Sequence, residues 1–455
     1  MLAEATRLVP PIHLIPESEL GKLELIRALR TNALTMWSRR AYEKPALVGS
    51  FLGRMQVLLN DPAAIQHVLV QNAANYRRPE LTARILRPLI GDGLLLSEGA
   101  AWRHQRRTIA PVLAPRQFPV LMRHVATAAG DTITRLDGQA GRSVALLPEM
   151  QRTALEIAGR SMFSLEMAQH GGAIRTLLVQ FGTSLAQPSL LELAFPGLPS
   201  PRDAQRRQFR AAWMGLINRI VTARSKLPPT DGPRDLFDLL LAARDPATGE
   251  AFTRVQLCDQ IATMILAGHE TTGLALFWSL ALLSQAPEWQ ARVAEEADRA
   301  DLSPEGASGA VAQLPVTRAV VSEALRLYPP AFLVTREAIA RDKAGRVLIP
   351  RGATIAIAPW VLHRHARLWD DPHAFDPARF LPEAEPPARF SYLPFGAGPR
   401  ICVAAQFALN EAIVVLASLA RAFVIRSDEA AHVRPMAVVT TQPDRSPAFL
   451  LETRA

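Results

Sequence analysis

The chain has 455 residues, of which 49% are hydrophobic and 20% charged, a balance that builds a sizeable core and excludes a disordered or fibrous protein. Its 51 basic and 42 acidic side chains leave a net charge of +9, carried almost entirely by arginine; the basic residues are scattered, without zinc-finger spacing or a basic aromatic module, so an acidic protein partner is expected and no nucleic acid. Two cysteines, Cys258 and Cys402, exclude a disulfide framework and point to a reducing, cytoplasmic setting.

In chain order, Met1 to Pro10 has no long apolar run, and Pro10, Pro11 and Pro16 interrupt the chain soon after, so neither a signal peptide nor a membrane anchor is expected. Residues 42–60 read as short strands with Gly49 and Gly53 at turns, and Pro62 to Val70 as a short helix. Tyr76 to Glu98 reads as irregular because Pro79, Pro88, Gly91 and Gly93 punctuate it. From Trp102 to about Tyr328 the pattern is mostly helical, with Pro228 to Pro233 as a surface loop.

One helix in this region is predicted from about Thr253 to Gln285, opened by a Thr253/Gln256 capping box. At 1.5 Å per residue it would span roughly 50 Å and should be central. Its most apolar part, Met264 to Leu283, contains His269, Glu270, Thr271 and Thr272, which favours a buried helix with a polar notch over a membrane span. β-like runs come next at Val347 to Ile349 and Thr354 to Ala358, then a Pro-rich meander from His363 to Pro394. A last helix is predicted from about Cys402 to Ala422, and a closing hairpin over Val438 to Leu451. No repeat or long linker is visible, so the chain reads as mainly α, multihelical with small β-sheets, in one domain over 1–455.

Five short patterns carry chemistry. Cys402 ends the loop Phe395-Gly-Ala-Gly-Pro-Arg-Ile-Cys402 and begins a helix; backbone N–H groups and the positive helix end favour a thiolate there. That thiol reads as a metal ligand or nucleophile, or as an inert core cysteine. Arg400 stands ready to meet an anionic group. In Ala267-Gly268-His269-Glu270-Thr271-Thr272 a threonine hydroxyl bonding back to a carbonyl opens a notch in the helix, or simply packs. Glu323 and Arg326 share a helix face. Pro377-Ala-Arg379-Phe380 lies in the meander, and Trp102 and Arg106 share a face on which an indole N–H and a guanidinium hold a carboxylate. His363-Arg-His365 with His373 is a weak metal pattern, and Cys258 reads as a small buried residue.

Together, and in this order, these patterns resemble the cytochrome P450 monooxygenases over nearly the whole chain. Phe395-Gly-x-Gly-x-Arg-x-Cys402 matches that family's specific haem-binding signature; Ala404 stands where the family commonly has glycine. The resemblance implies the cytochrome P450 fold and haem b, with Cys402 as the thiolate ligand of the iron and Phe395 packed beside it. It implies Trp102, Arg106, Arg336 and Arg400 as propionate contacts, Ala267 and Gly268 as room above the iron, and Glu270 with Thr271 as the acid–alcohol pair that delivers protons. Glu323, Arg326 and Arg379 would form a structural ion triad. Ile265, Phe332, Leu333 and Val334 would line a substrate pocket framed also by residues 76–98, the helices around 170 to 220 and the tip near Thr440 to Gln442, and His269 would make a solvent-side or groove contact.

The implied activity is insertion of one oxygen atom from O2 into a lipophilic small molecule. With no fused reductase expected, electrons would come from NAD(P)H through a ferredoxin or flavodoxin and its reductase, drawn to a basic patch over Arg103 to Arg107 on a monomeric enzyme. A haem-thiolate peroxygenase or isomerase, and a haem-binding protein without turnover, are the alternatives that Glu270 and Thr271 argue against.

Overall fold

The computed structural model describes residues 7–164, 171–195, 197–228 and 230–454. Met1 to Thr6 of the N-terminal reading, Pro229 of the proline loop, and positions 170 and 196 in the pocket-framing region lie outside the described residues.

The expected central helix runs Arg254–Ser284, 31 residues. Thr253 caps it: its hydroxyl accepts from Gln256 N–H at 3.3 Å while Gln256 Oε1 accepts from Thr253 N–H at 2.8 Å, so two orphan donors are satisfied reciprocally. The helix is buried nearly all round because it serves two cores. Its first half, Leu257 to Ile265, packs with the helices Gly171–Gln180 and Arg202–Arg224; its second half, Leu274 to Leu283, packs with Phe118–Asp137, Pro315–Leu327 and Ala405–Ala422. A helix with no solvent face needs no amphipathic stripe.

A five-stranded sheet forms a third core, ordered Ala46–Phe51, Arg54–Leu59, Thr354–Ile357, Val334–Ala338, Tyr76–Arg77. Gln56 pairs with Thr354 in parallel register and Arg336 with Ile355 antiparallel, while Tyr76 and Arg77 face Ala338 and Glu337. This sheet therefore sets Arg78 beside the strand that carries Arg336. A second sheet joins Ser143–Ala145, Ala448–Thr453 and Phe423–Arg426.

Four expectations are corrected. Residues 76–98 contain a strand and the helix Glu80–Ile90, with Pro79 as its N-cap and Pro88 in its last turn; the prolines stand where a helix tolerates them better than at its centre. Gly49 lies within a strand, and the turn falls at Leu52-Gly53. The predicted closing hairpin splits: Thr441–Pro443 pairs with Pro435–Ala437, whereas Ala448–Thr453 joins the other sheet. Finally, the terminal helix starts at Ala405, not Cys402. Ala405–Ala422 is also the one described helix long and apolar enough to cross a membrane, and most of its residues are buried in the core.

Candidate active site

A cavity of about 950 Å³ opens beside the middle of the long helix, at the large end of the range for small-molecule sites. The loop of Cys402 forms one wall. Gly396 and Gly398 both have φ +73°, a conformation glycine adopts without Cβ strain. A Cβ on Gly398 would sit 1.9 Å from the Leu69 carbonyl oxygen, so this glycine serves a close approach to a neighbouring turn. Cys402 N–H donates to the Phe395 carbonyl at 3.0 Å, closing the loop.

Cys402 lines the cavity with Phe395, Arg400, Val403 and Ala404. It precedes the helix by three residues, so the helix end contributes less than its predicted position implied. Burial pushes the thiol up, opposed by the Ala404 N–H and the Arg106 guanidinium. The polypeptide alone thus favours the thiol, contrary to expectation.

Five arginines line the cavity: Arg175, which neighbours His269, and Arg78, Arg106, Arg336 and Arg400. Arg106 Nη1 donates to the Ile401 carbonyl at 2.9 Å, and Arg336 Nη1 only to its neighbour's carbonyl, Thr335, at 2.9 Å. Arg400 donates to the Ser97 carbonyl at 2.8 Å, pairs with Glu98 and lies 4.6 Å over the Trp102 ring. The Nε of Arg78 is buried without a partner. Burial, then Arg336 and Arg400, push Arg78 down to about 9; burial, then Arg400, push Arg336 down to about 10. Burial also lowers Arg106 and Arg400. Glu98 is the carboxylate that offsets Arg78, Arg336 and Arg400, so three of these cations meet one anion, while Arg106 faces Cys402. A buried excess of positive charge is costly until an anion arrives.

Haem supplies a flat body and two carboxylates, which fit the cavity and these arginines. Sequence reading singled out Arg106, Arg336 and Arg400 and missed Arg78. Arg77-Arg78-Pro79 follows no helical period, and only the pairing of Tyr76–Arg77 with the Arg336 strand turns Arg78 inward.

From the long helix, Ala267, Gly268, Glu270 and Thr271 line the same cavity. Thr271 Oγ1 donates to the Ala267 carbonyl at 2.5 Å, as predicted for the notch, while the helix remains continuous. A Cβ on Gly268 would meet nothing within 4 Å, so open volume adjoins it. Glu270 Oε1 accepts from Thr440 Oγ1 at 2.8 Å and from Gln442 Nε2 at 2.6 Å. His269 is buried, pushed down to about 4 by burial and then by Arg175. It is not on the solvent side but lines the same cavity, with Gln151 and Arg175, so of the two expected contacts the groove one is found.

The predicted pocket residues divide. Val334 lines the cavity with Met264, Leu266 and Ala331, but Ile265 and Phe332 are buried in the cores and Leu333 packs against the larger one. Ile265 stands 100° from each neighbour on the helix, so Met264 and Leu266 reach the cavity where it does not.

The ion triad assembles beneath the loop. Arg326 forks Glu323 at 2.6 and 2.7 Å; Arg379 Nε approaches Glu323 at 3.8 Å, and the Asp376 N–H completes the carboxylate's shell at 2.8 Å. His363 spends both ring nitrogens on backbone, near the Arg326 carbonyl at 3.2 Å and accepting from Leu393 N–H at 2.8 Å. No cluster of three metal-ligating side chains exists among the described residues. Arg107 clamps Asp245 through two bonds of 2.7 Å, with His104 against the same carboxylate. The expected basic patch therefore loses Arg107 to an internal pair and keeps Arg103, which is exposed.

Comparison with known proteins agrees with this geometry. The family model for cytochrome P450 matches residues 28–445. Cyclooctatin synthase of Streptomyces melanosporofaciens is 32% identical, covering 82% of this chain and 81% of that protein. Cyclooctat-9-en-7-ol 5-monooxygenase of the same organism is 30% identical over 75% and 74% of the two chains, and a cytokinin hydroxylase of Arabidopsis thaliana is 30% identical over 85% and 77%. Among solved structures, a cytochrome P450DA haem domain superposes with a TM-score of 0.79 at 24% identity, covering 98% of this chain and 97% of that one. With a thiol, a group of arginines and an acid–alcohol pair around one cavity, and a family match over most of its length, the chain belongs to the cytochrome P450 family of haem-thiolate monooxygenases.

Proposed function

We propose that this protein hydroxylates a lipophilic small molecule in a single haem domain, drawing NAD(P)H electrons through a ferredoxin or flavodoxin and its reductase. The observation that carries the reading is that Cys402 and the Glu270/Thr271 pair line one mainly apolar cavity. When bound, haem supplies the iron centre at which dioxygen is reduced, and a thiolate ligand favours O–O cleavage.

The chain's own residues do the rest. Cys402 would ligate the iron, and the Ala404 N–H would tune the charge on its sulfur. Arg78, Arg106, Arg336 and Arg400 would hold the haem carboxylates, and Trp102 backs Arg400 through its ring. Glu323, Arg326 and Arg379 hold the meander under the Cys402 loop. Ala267 and Gly268 leave space for a diatomic molecule. Thr271 Oγ1 presents its lone pairs and, by turning from the Ala267 carbonyl, a proton. Glu270 accepts protons from the surface side and passes them inward.

Leu86, Leu94, Met264, Leu266 and Val334 exclude water from the substrate. A relative named for oxygenating cyclooctat-9-en-7-ol makes lipophilic alkenols the first compounds to screen. Exposed Arg103 provides the charge that attracts an acidic donor protein.

The deciding experiment is the carbon monoxide difference spectrum of the reduced, purified protein. The parent should show the red-shifted Soret band of a thiolate-ligated haem, and Cys402→Ser should lose it while the fold persists. An unchanged spectrum in Cys402→Ser would refute the ligand assignment.

A further inference from the structure

The two hydrogen bonds on Glu270 come from a segment far away in sequence. Thr440 and Gln442 stand two residues apart, and in an extended chain such residues project to the same side. The residue between them points the other way and is locked. Thr441 is fully buried, its hydroxyl donates to the Pro329 carbonyl at 2.6 Å, and its N–H donates to the Pro330 carbonyl at 3.1 Å. Its own carbonyl accepts from Trp278 Nε1 on the long helix at 3.1 Å. One buried residue therefore fixes the strand against the helix that carries Glu270, and its two neighbours are thereby aimed at the Glu270 carboxylate.

Both donors converge on one oxygen, Oε1, and Gln442 Nε2 also lies 3.3 Å from Thr440 Oγ1. Hydrogen bonds to an ionised acceptor are stronger and more directional than neutral ones. They fix the carboxylate's rotamer and leave Oε2 without a partner among the described residues. Val438 and Val439, just before Thr440, line the cavity, so a substrate filling it presses on the same segment.

We propose that Thr440 and Gln442 are positioning residues that aim the Glu270 carboxylate for proton delivery, and that the 438–440 tip transmits substrate occupancy to it. This rests on the proton-carrying role of Glu270 proposed above. A loosened carboxylate turns away from Thr271, and reduced oxygen then leaves as peroxide.

The test uses haem-loaded enzyme with a ferredoxin, its reductase and NADPH, with and without dodecanoic acid as probe. Thr440→Val and Gln442→Leu each remove one donor at nearly constant volume, whereas Thr440→Ser keeps the hydroxyl. A several-fold rise in peroxide per NADPH oxidised is expected for the first two, with the parental ratio restored in Thr440→Ser and the spectral Kd for dodecanoic acid little changed. Parental peroxide ratios in both Thr440→Val and Gln442→Leu, while Glu270→Gln is uncoupled, overturn the proposal and leave the acid's role standing. Indifference of Glu270→Gln removes the acid's role itself. Urea unfolding gives a readout free of turnover, on the exposed Gln442 should Thr440→Val lose its haem: Gln442→Leu and Glu270→Gln should shift the midpoint non-additively, and strict additivity would overturn the contact.

Discussion

Arg78 shows how one side chain's cost in the empty protein becomes affinity for a ligand. Its guanidinium is buried among Arg336 and Arg400, with Glu98 as the offsetting charge. Removing it should act with opposite sign on the two forms. Arg78→Leu relieves repulsion in the apoprotein, so its urea midpoint should rise or hold. The same change removes a charge-assisted contact worth about 1.5–3 kcal/mol, so haem transfer to an acceptor protein should quicken at least about tenfold. A midpoint that falls in step with haem loss would show Arg78 to be only a packing residue. Cys402 teaches the complementary lesson. Its motif was legible, but its acidity was not, because burial raises the thiol pKa against the Ala404 N–H and Arg106, and burial is not written in a motif.

At the scale of elements, the long helix was readable almost to the residue because its limits are local chemistry: a reciprocal cap at Thr253 and Gln256 starts it. The helix Glu80–Ile90 was missed because its prolines and glycines were taken as breakers, whereas Gly91 and Gly93 serve docking. A Cβ on Gly93 would lie 2.2 Å from Thr263 Oγ1 on the long helix. The haem loop uses Gly398 in the same way. Gly398→Ala adds left-handed strain to a clash with the Leu69 carbonyl, so it should cost about 3 kcal/mol or more. Circular dichroism melting should show the loss, and the purified variant should carry little haem. Gly396→Ala, with the same φ and nothing within 4 Å of the added Cβ, should cost about 1–2 kcal/mol. Equal losses would show that strain, not the close approach, governs the loop.

For the whole molecule, buried titratable groups set a pH optimum of stability. His13 and His269 are pushed down to about 4 and His363 to about 3, in each case chiefly by burial. Between those values and the ordinary 6.5, the unfolded chain binds protons that the native chain refuses, so stability falls as pH drops below about 6.5. Glu411, buried in the last helix, is pushed up to about 8. From its ordinary value to about 8 the native chain holds a proton that the unfolded chain has lost, so this group makes stability fall as pH rises. Below 6.5 the buried histidines, His373 at about 4 among them, outweigh it; above 6.5 it acts in the same sense as Glu323, which burial also pushes up. The unfolding free energy from urea titration should therefore peak near pH 6.5 and drop by about 2 kcal/mol by pH 8. Glu411→Gln should flatten the alkaline limb, and a limb that keeps its slope would place the titration elsewhere.

By itself the sequence determined what depends on neighbours along the chain: the capped central helix, the threonine notch, the loop that ends at Cys402, and the Glu323–Arg326 pair one turn apart. Those features need only backbone geometry and side-chain chemistry within a few residues. Tertiary structure alone decided which of the predicted pocket residues reach the cavity, because a helix offers each residue a face but does not say what lies against it. Pairing of the Arg78 and Arg336 strands, and of the Glu270 carboxylate with Thr440 and Gln442, joins residues separated by 258 positions in the first case (336 − 78) and by 170 and 172 in the second. Register and burial over such distances are set by the packing of the whole molecule, and no local pattern encodes them.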